Sequence, residues 1–389
     1  MKLRLSVSLA VISLALATLA VLPAGSARRP RYGGMLRVEI SEPINSADLA
    51  APATGPWGTS AKDHNDIGAL LYDRRNADTF PGPAGAGPFR IATWEPGRRL
   101  TLTANEDYPG GRPFVDSVEI QMGRAAKDRI LDVELNKADL AEIPPEEARR
   151  ASDRGVRVSA SKPDQLLALA FISGRPVAED ARAREALSGA IDRNSIVNFI
   201  LQREGEPAGG LLPQWSSGTA FLFPITPAAA GAKEQWSGIG GTSKIVLGYD
   251  AADGLAQTVA ERIVVNAREA GISLALTPLS NTASGSGKTD ARLFRLRMSS
   301  PRPREALAGF MQQVSVLTRI DAAPLPDPAS PEQIYARERA LVAERRIIPI
   351  AWIPRVYGLS DRVRDWRPPV AGETWPLADV WLDTMIEMK

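Results

Sequence analysis

Cysteine is absent from the 389 residues, and histidine occurs once, as His64. The first absence excludes disulfide scaffolds, thiolate-bound zinc, iron–sulfur clusters and cysteine nucleophiles. The second nearly removes histidine-based triads and multi-histidine metal sites. Neither sign of charge prevails, with 47 Lys and Arg against 45 Asp and Glu. No GxSxG, HExxH or clustered carboxylate pair stands out, so no catalysed reaction and no cofactor are expected. What is present is ordinary for a globular chain: 44% hydrophobic and 24% charged residues. That length and composition suit one large domain or two to three ordinary ones, each able to bury a core.

The first 27 residues have the layout of an export signal. Lys2 and Arg4 open it, Leu5 to Leu22 is almost wholly apolar, and Pro23-Ala24-Gly25-Ser26-Ala27 offers small residues for cleavage. An uncleaved anchor is the rival reading, because the run is about long enough to span a bilayer. Ser6, Ser8, Ser13 and Thr18 dilute it, and the small-residue tail suits processing. Losing Lys2 and Arg4 leaves the mature chain formally neutral. That balance does not suit a nucleic-acid binder, and no cysteine follows the cleavage point to carry a lipid.

Strands and helices then alternate. Residues 34–40 alternate apolar and polar, as in a half-buried strand. Residues 42–87 read as loops around one short helix near Asp66 to Tyr72. The turn Glu95-Pro96-Gly97 joins strands at 88–94 and 98–104, and 117–122 is a further strand. A helix is expected over 125–139, strands over 155–160 and 166–172, and a long helix over 179–203 interrupted near 189–194. A strand at 244–249 leads to an amphipathic helix through Leu255, Val259, Ile263 and Ala267, which Gly271 ends. Strands at 272–276 and 347–353, a helix at 333–344 and a short strand at 379–383 complete the reading. No internal repeat is visible. The alternation implies mixed α/β domains, with two lobes flanking a cleft.

Several stretches imitate chemistry. Gly285-Ser286-Gly287-Lys288-Thr289 resembles a phosphate loop, but Thr282 stands where its first glycine belongs and a strand follows instead of a helix. Gly238-Ile239-Gly240-Gly241-Thr242-Ser243 precedes a strand, reversing the mechanics of a dinucleotide fingerprint. Asp63-His64-Asn65-Asp66 lacks the ligands of a calcium loop and reads as a helix cap. Glu146-Glu147 beside Arg149-Arg150 reads as a solvated helix face. Loop tryptophans, Trp57 and Trp215 among them, are either packing anchors or walls of a ligand cleft.

A longer stretch changes the argument. Residues 85–120 read GAGPFRIATWEPGRRLTLTANEDYPGGRPFVDSVEI. The Gly-Pro-Phe strand, the Trp94–Pro96–Gly97 turn, Asn105 with Tyr108, and Gly110-Gly111 with Pro113 and Asp116 resemble, in order and spacing, the extracellular solute-binding proteins of the peptide and nickel type, family 5. These serve ABC importers. Leu169-Ala170-Phe171 followed by Arg182, Arg184, Ala186-Leu187 and Ala190-Ile191-Asp192-Arg193 is similar to that family, as are Leu211-Leu212-Pro213, the Ala256–Leu276 unit and Ile347-Ile348-Pro349-Ile350. Departures accompany the match. Family members carry a small accessory segment that has no counterpart between Tyr72 and Gly85. Ile172 replaces an Asn. The acid that meets a ligand amine in peptide binders has no equivalent in Arg295 to Pro301.

The resemblance implies an α/β, two-lobed periplasmic binding protein fold (type II, cluster C-like) lacking most of the small accessory subdomain. Lobe I would hold 28–172 and 345–389, and lobe II 173–344, with hinges near Phe171 and near Ile347 to Trp352. The implied function is the periplasmic substrate-binding component of an ABC transporter. It would close on a peptide-like or carboxylate-bearing small solute and deliver it, as a monomer, to an inner-membrane permease. The expected ligand residues are Trp57, Phe171, Trp215, Arg295, Arg297 and Ser299. The arginines point to an anionic group, with plain solvent exposure as the alternative. An exported scaffold or sensor with a degenerate pocket is the competing reading. Expression with an intact export pathway should yield a product beginning at Arg28. Intact-mass measurement checks this, and a mature protein retaining Met1 would contradict it.

Overall fold

The computed structural model describes residues 29–41, 43, 87–239, 244–280, 289–371, 373 and 375–383. The expected export signal, Trp57, His64, the short helix expected near Asp66 and residues 281–288 lie outside them.

Two sheets organise the described residues. The first holds β1 (Met35–Glu39), β2 (Phe89–Glu95), β3 (Arg99–Ala104), β4 (Ser117–Gln121), β5 (Leu140–Ile143), β6 (Arg157–Ala160) and, from far along the chain, β13 (Val356–Leu359). Its order is β2-β3-β4-β1-β5-β13-β6. The second holds β7 (Gln165–Phe171), β8 (Glu206–Pro207), β9 (Ile245–Asp250), β10 (Leu274–Leu279), β11 (Ala291–Arg297) and β12 (Ile347–Ile353), in the order β10-β9-β11-β7-β12-β8.

The two orders share one plan. In the first sheet β1 lies between β4 and β5, parallel to both, and β13 lies antiparallel between β5 and β6. In the second, β9 lies between β10 and β11, parallel to both, and β7 lies antiparallel between β11 and β12. In each sheet the antiparallel intruder is the first strand formed after the chain crosses over. This is the mixed α/β, two-lobed architecture that the sequence implies.

Period-two alternation explains the central strands. Leu167, Leu169 and Phe171 of β7 enter one core, together with α2 (Ala181–Ala190) and α3 (Gly254–Glu269). Leu166, Ala168 and Ala170 enter another, beside α4 (Pro303–Thr318) and α5 (Pro331–Ala343). A strand buried on both faces reads as a continuous apolar run, as β7 and β12 do. In the first sheet, Leu36, Val38 and Ile40 face the core that includes Tyr357 and Trp375, while α1 (Ala126–Glu134) packs on the opposite face.

Several elements depart from expectation, among them β5, the helix Ala229–Ser237 and the three that follow. α1 ends at Glu134, and the chain turns through Asn136, at φ 55°, into β5. The whole of α4 was missed, because Pro301-Arg302-Pro303 looks like a break. Pro303 in fact starts the helix, where a missing N–H costs nothing, and Ala306, Leu307, Phe310, Met311 and Val314 form its buried stripe. β13 is four residues long and has no period of its own to show.

β7 and β12, expected within the two parts of lobe I, both belong to the second sheet and pair with each other. The chain crosses earlier on the way out, at residues 161–164, and later on the way back, at 354–355. Phe171 and Ile347 to Trp352 lie within the ladders of the second sheet. Where the crossings meet, Ser161 N–H donates to the Arg355 carbonyl at 2.9 Å, Arg355 N–H to Ser161 Oγ at 3.0 Å, and Asp164 N–H to the Ile353 carbonyl at 3.2 Å.

A buried ion pair fastens them. Arg355 Nη2 and Nε reach Asp164 Oδ2 at 2.7 and 3.0 Å, and the two side chains are only 10% and 1% exposed. Arg355 Nη2 also donates to the Pro369 carbonyl at 2.9 Å. Removing one partner of such a pair strands a buried charge. Asp164→Ala should therefore lower the unfolding free energy by about 3–5 kcal/mol in urea titrations. A loss under about 1 kcal/mol, the level of an exposed pair, would show that the pair does not fasten the crossing.

Candidate functional site

The crossings fix where a ligand could sit. Val356, the first residue of β13, pairs with Ile143, the last of β5. Gln165, the first of β7, pairs with Arg297, the last of β11. Both crossings therefore lie at the carboxyl ends of the parallel strands. In open α/β sheets this is where ligands bind, at the point where neighbouring connections diverge.

From the first sheet, the segment after β5 lies at these strand ends. Pro144-Pro145 halts the strand and starts a short turn, Pro145–Glu147, ahead of the helix Ala148–Asp153. Ser41, just past β1, donates from its N–H and Oγ to Glu142 Oε2, both at 3.1 Å. Glu147 sits 3.6 Å from Arg150 in a largely exposed pair, as a solvated helix face would. Glu146 differs. It is half-buried, and its Oε2 is shielded from solvent with no hydrogen-bond partner among the described residues. Burial pushes its carboxyl above the usual range. Its own backbone N–H and the charge of Arg295 oppose that shift, and Asp253 and Glu147 add to it.

From the second sheet come Asp253 and Arg295. Asp253 caps α3, its Oδ1 accepting from Ala256 N–H at 3.1 Å. Its Oδ2 lies 2.8 Å from Arg295 Nε. Alternation along β11 puts Arg295 and Arg297 on the α3 side of the sheet, in line with Ala291 and Leu293. The expected anion-binding charge of Arg295 is therefore already met by a carboxylate of its own lobe.

The remaining expected residues scatter. Trp215 straps the outgoing crossing: its Nε1 donates to the Pro163 carbonyl at 2.8 Å, and Lys162 Nζ lies 5.2 Å from its ring centre. The neighbouring Ser216 Oγ donates to the Pro301 carbonyl at 3.0 Å. Arg297, partly exposed, ends β11 at the groove. Ser299 follows it, exposed, with Oγ packed so close to α4 that a Cβ on Gly309 would come within 2.7 Å. Phe171 needs correction. It is fully buried, lies at the end of β7 away from the crossing, and contributes to the core instead of the groove. Trp57 lies outside the described residues.

Residues missed from sequence matter more here. Glu146 was read with Glu147 as one solvated pair, and the preceding strand end with Pro144-Pro145 was the available signal. Glu338 is fully buried and accepts from the N–H groups of Leu211 and Leu212 at 2.6 and 2.8 Å. It thereby fixes the loop leading to Trp215. Burial, only partly offset by those two N–H groups, raises its carboxyl to about 7.

With this geometry in place, the comparisons fall on one group. The family model for bacterial extracellular solute-binding proteins, family 5 Middle, matches residues 36–315. The chain belongs to this family. Protein XP55 of Streptomyces lividans is 33% identical over 144 residues, covering 36% of this chain and 26% of that protein. The oligopeptide-binding protein AppA of Bacillus subtilis is 27% identical over 127 residues, 32% of this chain and 23% of that one. These matched stretches span about a quarter of the relatives' length. Among solved structures, the ABC transporter substrate-binding protein CtaP of Listeria monocytogenes superposes with a TM-score of 0.64 at 19% identity, covering 79% of this chain and 68% of that one. NikA of Staphylococcus aureus, solved with Ni(L-His)2, gives 0.63 at 17% identity, covering 77% and 70%. At these identities the superpositions establish the fold of this family-5 protein.

The double role of Asp253 is separable. Asp253→Asn should keep the α3 cap and lose only the charge opposite Arg295, whereas Asp253→Ala should lose both. The alanine variant is expected to be about 1 kcal/mol less stable than the asparagine one in chemical denaturation. Equal stabilities would mean that the cap contributes nothing.

Proposed function

We propose that this family-5 protein is the exported substrate-binding component of an ABC importer, and that it closes its two lobes over a small peptide-like solute without altering it chemically. The observation that carries this reading is the twice-used sheet plan, with both crossings at the carboxyl ends of the parallel strands. Such a hinge lets the two sets of strand ends approach or part by small backbone rotations at 161–164 and 354–355. The relatives' names lend support, since they include an oligopeptide-binding AppA and a probable D,D-dipeptide-binding DdpA. We place the solute between the segment after β5 and the ends of β9 and β11, with Arg297 and Ser299 at its rim. Trp215 acts on the hinge. The implied partner is a membrane permease that accepts the closed, loaded form.

A solute that binds the folded state stabilises it by mass action, by about 2.7 kcal/mol at a concentration one hundred times Kd. Thermal melts against short peptides, carboxylates and a nickel–histidine complex should therefore show a rise of several degrees with at least one peptide class. No shift across the whole panel would favour the scaffold or sensor reading, in which the lobes persist and the pocket is lost.

A further inference from the structure

Glu338 of α5 is wholly buried, and the backbone around it is shaped to its side chain. Gly209 and Gly210 bring the 208–213 loop down onto it. A Cβ on Gly210 would stand 2.6 Å from Glu338 Oε1 and 2.8 Å from the Phe223 ring, and one on Gly209 would stand 2.7 Å from the Phe223 carbonyl oxygen. That close approach lets Oε1 accept from Leu211 and Leu212 N–H, while Oε2, also shielded, has no hydrogen-bond partner among the described residues. Just beyond the loop, Trp215 Nε1 holds the Pro163 carbonyl. One short stretch of chain therefore links a buried acid to the outgoing crossing.

Among the described residues no cation pairs with this acid. α5 packs against α4 and β12. β12, the 208–213 loop and residues 220–223 contain no charged residue. On α4, Arg304 is engaged by the Pro326 carbonyl and Asp327, and Glu305 by Ser300 and Arg302. On α5 itself, Arg337 pairs with Asp321, Glu332 and Arg339 are exposed, and Tyr335 lies against Phe223. Arg193, behind the loop, directs its Nε to the carbonyls of Ala208 and Pro349 at 3.0 and 2.8 Å. A carboxylate closed into such a place is ionised without a cation and with one oxygen bare, a cost the neutral acid avoids. Burial accordingly pushes this carboxyl up to about 7, against the pull of the two N–H groups. When the loop lifts, water reaches the side chain and that burial is relieved.

We infer that Glu338 is a proton-set positioning residue: protonated, it lets the 208–213 loop close and Trp215 hold the outgoing crossing, and ionised, it loosens the loop and slackens that strap. The closed loop binds a proton that the lifted loop releases. Closure is therefore favoured fully below the ordinary value of 4.5, and the gain is lost as pH rises through about 7. In an acidic medium the crossing is held, and in an alkaline one it is freed to turn. This goes beyond the solute-binding reading and needs no solute.

The test is hydrogen–deuterium exchange of the full-length mature protein at pH 5.5 and 8.5, corrected for the intrinsic rate at each pH and read on peptides covering 158–165 and 208–217. A His64→Asn background removes the one histidine. From the lower to the higher pH, protection of both stretches should fall by about tenfold or more. Glu338→Gln keeps an oxygen for the two N–H groups and does not titrate, so its 208–217 protection should be the same at both. Trp215→Phe keeps a ring and removes the donor, so 208–217 should still respond and 158–165 should not. Protection of 208–217 that is unchanged between the two pH values, or a response that Glu338→Gln retains, overturns the inference. So does a response at 158–165 that is absent from the start or survives Trp215→Phe. Should Glu338→Gln fail to fold, Gly210→Ala takes its place: its methyl group holds the loop off the acid, so 208–217 should be open at both pH values, and a response like that of the parent would overturn the inference.

Discussion

The pair between Asp164 and Arg355 is the constraint on which the molecule's geometry depends. It joins the outgoing and returning crossings, two points 191 residues apart in sequence. An ion pair this buried contributes little by attraction alone, because the loss of hydration offsets it. Its effect is geometric. The guanidinium also holds the Pro369 carbonyl, and the Asp164 carbonyl accepts from Met298 N–H at 2.9 Å, just past β11. One cluster thereby gathers both crossings, the end of β11 and a loop of the first lobe. Trp215 adds a clamp from outside through Pro163. Whatever motion the lobes make must turn about this knot.

A second cluster shows the same economy in the first lobe. Asp139, fully buried, accepts from the backbone N–H of Arg37 at 2.8 Å and from the side chains of Arg37 and Arg362. Burial alone would push its carboxyl up, but those hydrogen bonds outweigh burial and hold it below the usual carboxylate range. It is thereby kept ionised and ties β1, the start of β5 and the segment after β13. The contrast with Glu146 is instructive. Asp139 is saturated with donors and structural, while the part-buried Glu146 has an oxygen, Oε2, with no hydrogen-bond partner among the described residues.

Much of this was legible in the sequence. The hairpin around Pro96-Gly97, the amphipathic α3 and the apolar runs of β7 and β12 follow from period and turn chemistry. The family resemblance supplied the two-lobed plan. The fold's doubling was invisible, because it lies in strand order and not in residue identity. Phe171 and Trp352 look like the ends of a domain only when their strand partners are unknown. Arg295 of β11 was legible as a charge, but its neutralisation was not. Asp253 lies 42 positions before Arg295, and nothing in either segment announces the contact. Glu146 was masked by its neighbour Glu147, with which it was read as one pair.

The hydrogen bond from Asp164 to Ile353 has an architectural consequence. The entire second lobe leaves and re-enters at one spot, so residues 164–353 form a loop of chain whose two ends touch. Such a stretch is topologically an insert, grafted at a single junction into a host that would otherwise run from Ala160 to Val356. Nothing has to be threaded to gain or lose it. A fold of this design can lengthen, trim or remodel one half through genetic insertion while the other half keeps its pairing intact.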